Sequence, residues 1–222
     1  MILRTGGPAL VAAILMAGML ASCALSPPSQ PAPASYDLGP LPGYGSASPV
    51  LPVTVLLPQI TAPSWLDGQG IVYRLTYDEP ARVRTYAQSR WKAPPAALLT
   101  QRLRARFAVA TRRGVVTDAD GARADYLIHV DLEDFCQIFS APDKSRVTVR
   151  ARASVVNVRQ HRLIAQRLFS LDRPAPSPDA RGAVTAFAEA GDDVIKELLD
   201  WTSDLLQARR QKKMMKDADE KR

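Results

Sequence analysis

From Leu51 onward the apolar positions change period three times, and those changes predict the elements. Val53-Thr54-Val55-Leu56-Leu57 is a β-branched apolar run, as is Ile71 to Tyr77, and Arg82 to Tyr86 follows a Glu79-Pro80 turn signal. Pro94 and Pro95 then open a helix, because proline is tolerated in a first turn. Leu99, Leu103, Phe107 and Ala110 form one apolar stripe along it, ending near Gly114. Alternation resumes at Tyr126, Ile128, Val130 and Leu132, and again at Val147, Val149, Ala151, Ala153 and Val155. The segment Leu163 to Leu171 is expected to pair with its predecessor across a turn at 159–162. A last helix is predicted from Ser177-Pro178, cap and first-turn proline, to about Ala208. Its stripe is Val184, Phe187, Gly191, Val194, Leu198, Trp201 and Leu205. This order predicts an α+β fold, a mainly antiparallel sheet with two principal helices packed on one face.

Upstream the pattern is that of an address. Arg4 is the only charge before the apolar run Ala9 to Leu20, which is too short to span a bilayer. Leu20-Ala21-Ser22-Cys23 follows and resembles the bacterial lipobox. In such signals the cysteine sulfur receives a diacylglycerol and the peptide is cut before it. Ala24, where an Asp would mark retention, is similar to sequences sorted to the outer membrane, facing the periplasm. Residues 24–50 hold seven Pro, three Gly, five Ser and four Ala, a linker composition expected to stay extended. Within it, Tyr36-Asp37-Leu38 could supply a first short strand. The expected organisation is therefore signal 1–22, lipid anchor and Pro-rich linker 23–50, folded domain 51–208, and a basic, disordered tail 209–222.

Composition narrows the class. A chain of 222 residues, 46% hydrophobic and 23% charged, can bury a core without metals or disulfides. The net charge of +7 is unevenly placed. Nine basic and no acidic residues lie between Pro80 and Thr117, and seven basic and no acidic ones between Lys144 and Leu171. The tail 209–222 adds seven basic against three acidic residues. Such segregation either neutralises locally or builds a basic surface for lipid head groups or an acidic partner. Nucleic acid does not fit an exported, anchored chain.

Catalytic signatures are sparse. There is no G-x-S-x-G elbow, no Gly-rich phosphate loop and no paired C-x-x-C, so the expectation is a protein that is not an enzyme, with no cofactor beyond the covalent lipid on Cys23. His129, Asp131 and Glu133, at i, i+2 and i+4, would share one strand face. That face reads as solvated, with a weak metal or acid/base cluster as the alternative. Cys136, beside Phe135, reads as a buried small hydrophobe, leaving an intermolecular disulfide or a reactive thiol open. Arg146, Arg150 and Arg152 would project together opposite Val147, Val149 and Ala151 as a candidate docking face. The helical Arg102, Arg104 and Arg106 are expected to join it.

Several segments then combine: the lipobox cysteine, Tyr36-x-Leu38, Ile71-Val72-Tyr73-Arg74, Trp91-Lys92-Ala93-Pro94-Pro95 leading into a helix, Ala124-Asp125-Tyr126-Leu127, and a terminal helix bearing Trp201. In order and spacing the chain resembles the ABC-type transport auxiliary lipoproteins, the group containing the paraquat-inducible C lipoprotein. The resemblance implies a lipid-anchored docking subunit of an intermembrane lipid-transport system, with an MCE-domain protein and an ABC permease/ATPase complex as partners. A structural envelope lipoprotein is the alternative, and homo-oligomerisation stays open. Trp91, Pro94 and Pro95 are added as candidate docking residues, with a core role the other reading of Trp91.

The lipobox generates a test. Cys23→Ser should yield an unacylated or mislocalised form, since a hydroxyl cannot form the thioether. Metabolic labelling with a fatty acid, combined with membrane fractionation, checks it, and normal acylation of the variant would remove the anchor.

Overall fold

The structure, a computed structural model, describes residues 32–41 and 51–219. Leu20, Ala21, Ser22 and Cys23 lie outside the described residues, as does most of the Pro-rich segment. The ordered unit comprises strands β1 (Ala34–Tyr36), β2 (Val55–Leu56), β3 (Gly70–Leu75) and β4 (Arg84–Trp91), then helix α1 (Pro95–Ala110). Strands β5 (Val115–Val116), β6 (Tyr126–Ala141), β7 (Lys144–Asn157) and β8 (Arg162–Pro174) follow, and helix α2 (Ala180–Asp219) closes the chain.

The long strands form an antiparallel meander, β6 to β7 to β8. Pro142 presets the first corner of the tight β6–β7 turn, and Ala141 pairs with Lys144 across it. The β7–β8 turn uses His161 in the left-handed region, while Asn157 Oδ1 accepts from the Gln160 N–H. The other edge of β6 is shared in sequence. The short β2 runs parallel to Tyr126–Leu127, Thr61 makes a bridge to Asp131, and β3 runs parallel to Gln137–Phe139. β5 adds to β2 in parallel, β4 to β3 antiparallel, and β1 to β4 in parallel. The fold is thus α+β as expected, but its sheet is mixed. The strand at 53–57 shrinks to two residues because its partners are strand starts, not a hairpin neighbour.

Alternation on β7 sets the inner face. Val147, Val149, Ala151, Ala153 and Val155 are buried; α2 covers them, and Leu99 and Leu103 of α1 close in beside Val149 and Ala151. On β6 the buried positions are Ile128, Val130 and Leu132, and then a bulge between Leu132 and Asp134 switches the parity. Phe135, Gln137 and Phe139 face inward beyond it, as a one-residue insertion requires. There Phe135 stacks on Phe187 of α2 at 4.0 Å, and Trp91 packs edge-on to Phe187 at 5.7 Å. Trp91 is only 1% exposed. It belongs to the core, which corrects its docking assignment.

Both helices start where local chemistry permits. Pro94 and Pro95 occupy the N-cap and first helical positions of α1, and Leu99, Leu103, Phe107 and Ala110 are all buried. Pro95 is itself buried, so this turn serves helix initiation. α2 starts later than expected, at Ala180, because Asp179 is the cap: its carboxylate accepts from the Gly182 N–H at 2.7 Å and the Ser177 hydroxyl at 2.8 Å. Those hydrogen bonds hold the Asp179 carboxyl below its usual range. Gly182 is required there, since a Cβ would lie 2.1 Å from the Ser177 carbonyl oxygen. Gly191 lets α1 approach α2, where a Cβ would meet Leu99 Cδ2 at 3.0 Å.

Arg102 fastens the N-terminal segment to both helices. It is 3% exposed, yet Nη1 donates to Asp192 of α2 at 2.6 Å. Its Nη2 donates to the carbonyls of Leu38, Gly39 and Pro40. Boundaries therefore move at both ends. The compact unit begins at Pro33 rather than residue 51, and α2 continues helically through Asp219, where a disordered tail was expected.

Two measurements follow from this packing. Phe107→Ala and Leu198→Ala, both at fully buried positions, should each cost about 2–5 kcal/mol in denaturant unfolding. Values within about 0.5 kcal/mol would put the helical stripes on the wrong faces. Arg102→Leu should cost about 3 kcal/mol because it leaves a carboxylate and three carbonyls without their donor. Adding Asp192→Leu should recover part of that loss, and strictly additive costs would mean the two groups do not interact.

Candidate basic cleft

The expected docking arginines do share a face. Arg146, Arg150 and Arg152 stand exposed on the outer surface of β7, opposite the buried valines and alanines. Acids meet them there. Arg146 Nε donates to Asp172 at 3.3 Å, and Arg152 donates from Nε and Nη2 to Glu133. Arg150 lies in register with Asp134. Burial raises the Asp134 carboxyl, with Arg74 and Arg150 pulling the other way. The outer face is thus largely neutralised locally.

The helical arginines do not join it. α1 packs on the opposite side of the sheet, where Arg102 is spent on the clamp and Arg104 donates to the Leu57 carbonyl at 2.9 Å. His129, Asp131 and Glu133 do sit together, with His129 Nε2 3.0 Å from Asp131 Oδ1. Asp131 also accepts from the Thr61 hydroxyl, and Glu133 takes Arg152. No group of three ligating side chains suited to a metal occurs among the described residues. Cys136 is buried, and that burial pushes its thiol up to about 12. A thiol so disfavoured as thiolate is a poor nucleophile.

The charge concentrates elsewhere, at the end of the sheet where β6 begins. Three segments meet there. In the α1–β5 loop, Leu51 N–H donates to the Ala110 carbonyl and Arg112 N–H to the Leu51 carbonyl. Gly114 then turns the chain in the left-handed region that favours glycine. This lashing sets Arg112 and Arg113 beside Leu51, Pro52 and Val53. From the β7–β8 turn come Arg159 and Arg162. Asp125 steadies that turn, its carbonyl accepting from the Val158 N–H at 3.2 Å. Its carboxylate accepts from the Thr54 N–H at 3.0 Å and lies 3.6 Å from Arg159.

The third segment is the far end of α2. Its apolar stripe Phe187, Gly191, Val194, Leu198, Trp201 and Leu205 advances by alternating steps of four and three. Further steps of four, three and four from Leu205, which keep to the same face, reach Arg209, Lys212 and Lys216, so the face that covers the sheet turns cationic where the sheet ends. These residues and Arg210 line the cleft. It measures about 1490 Å³ and is lined by eight basic side chains against one acid, Asp125. Like charges so gathered repel one another, and an anion would relieve that repulsion. The basic runs in the sequence contained these residues, but only the folded chain brings the loop, the turn and the helix end to one place.

Residues 36–198 match the family model described as ABC-type transport auxiliary lipoprotein component. An uncharacterized protein of Bradyrhizobium diazoefficiens is 25% identical over 169 residues, which is 76% of this chain but 44% of that relative, so the chain spans less than half of its length. Among solved structures, the protein XCC0632 from Xanthomonas campestris, of the DUF330 family, superposes with a TM-score of 0.66 at 23% identity. It covers 81% of this chain and 97% of that one. A second crystal structure, of an uncharacterized protein, aligns with a TM-score of 0.56 at 15% identity over 76% of this chain and 97% of that one. These superpositions show the same fold. With a family model matched from the first strand through most of the last helix's packed length, the chain belongs to the ABC-type transport auxiliary lipoprotein family.

Proposed function

We propose that the protein is a lipid-anchored, periplasm-facing auxiliary subunit of an MCE-type intermembrane lipid transporter, held in the outer membrane through Cys23 and acting by docking. Membership of the auxiliary lipoprotein family carries this reading. The lipobox resemblance supports the anchor. The chemistry of the fold favours docking over catalysis, because its candidate nucleophile is a buried, protonated thiol and the strand histidine, His129, is taken up in a surface pair.

A rigid sheet with an exposed, charge-patterned outer face suits contact with a protein partner. Charges in such a pattern set register and discriminate between partners more than they add raw affinity. Arg150 is the cation of that row in register with Asp134, whose carboxyl burial raises, so it is the one best placed to meet an incoming acid.

Affinity capture of the intact, tagged chain from its own membranes should retain an MCE-domain protein and an ABC permease. Arg150→Glu with Arg152→Glu should lower that yield about tenfold or more with an unchanged melting curve, in line with the cost of reversing interface charges. Undiminished capture would move docking off this face. No transporter component captured by the native chain would overturn the reading itself.

A further inference from the structure

We infer that the basic cleft is a docking surface for an anionic phospholipid membrane, a role that goes beyond contact with a transporter. Three properties of that end point to a lipid surface. The first is charge, with eight cations lining the cleft against one carboxylate already engaged by Arg159 and the Thr54 N–H. Clustered Lys and Arg on a helix end and neighbouring loops attract negatively charged head groups additively.

The second is an exposed apolar side chain beside the cations. Met215 is 70% exposed and lies one helical turn beyond Lys212 on α2. Cations beside an exposed apolar side chain match the boundary between phosphates and acyl chains. An acidic peptide or free phosphate would use the cations and leave Met215 without a partner.

The third is the construction of α2. Its stripe is apolar wherever it covers the sheet, and it becomes Arg209, Lys212 and Lys216 once the sheet ends. No described residue of α2 beyond Leu206 is buried. Those last turns therefore contribute nothing to the core, yet they carry cations on the core-facing stripe and Met215 beside it. A surface that completes itself on a membrane accounts for all three.

The test uses the full chain, so any acyl anchor is present throughout. The quantity read is the ratio of binding to phosphatidylglycerol-containing vesicles over pure phosphatidylcholine vesicles, from which an anchor indifferent to head-group charge cancels. The native chain should favour the anionic vesicles about tenfold or more at low salt, falling towards unity near 0.5 M salt as screening shortens to a few ångström. Arg209→Glu with Lys212→Glu, and separately Arg159→Glu with Arg162→Glu, should each bring the ratio close to one while the melting temperature stays unchanged. Met215→Trp should show a blue-shifted emission with anionic vesicles only. A native ratio near one would overturn the proposal. So would ratios unmoved by both double variants, loss of vesicle binding to millimolar inorganic phosphate at constant ionic strength, or binding of poly-glutamate in preference to the anionic vesicles. Transporter capture reads a different face, so either result can fail without the other.

Discussion

A strand can present a dry face and a charged face only while its side chains alternate without a slip, and β7 keeps that alternation from Arg146 to Val155. The rest of the molecule is arranged around its dry side. α1 and α2 lie there because five small or β-branched side chains in a row offer a smooth apolar floor. β6 and β8 pair with β7 along nearly their full lengths. A slip of one residue would exchange the valines for arginines beneath the helices, and the cost of burying those charges makes the register effectively unique.

β6 cannot obey the same rule throughout, since it must also turn its far half towards the N-terminus of α2. The bulge after Leu132 resolves the conflict by shifting parity once. Below it, leucine and valine meet the helices. Above it, Phe135 joins Trp91 and Phe187, and Gln137 takes the Tyr86 hydroxyl and donates to Ser145 and the Asp179 carbonyl. Burial raises the Tyr86 phenol far above its ordinary value, so it stays a neutral donor in that network. The Arg102 clamp is the other concession to polarity inside the core. It joins a segment with too few apolar residues to hold itself in place to the two helices that need covering.

The two charged surfaces follow from the same geometry. On the outer sheet face, cross-strand neighbours on β6 and β8 bring acids opposite arginines, and the charges largely cancel. Beyond the end of the sheet there is no neighbouring strand to supply acids. Helix end, turn and loop bring eight cations there against the one acid of the lining, Asp125, and the cleft results.

Much of this was legible in the sequence. The α1 stripe, the β7 alternation, the β7–β8 pairing and the α2 stripe through Leu205 are periodic patterns, and a period of two or of 3.6 is set by local backbone geometry. The class α+β follows from their order. What the sequence left undecided depends on residues far apart in the chain. The parallel additions of β1, β2, β3 and β5 are short, with too few residues to show a period, and their pairing is chosen by which edge is left open. Trp91 carries an aromatic signature that is the same in a core as on a surface, and only Phe135 and Phe187 decide between them. Arg146 and Arg152 were placed correctly on their face, but the acids that meet them come from other strands. The sequence by itself determined the elements and the cations. The tertiary structure alone decided which cations are cancelled and which stand together, because electrostatic energy depends on distances between side chains that the chain order does not contain.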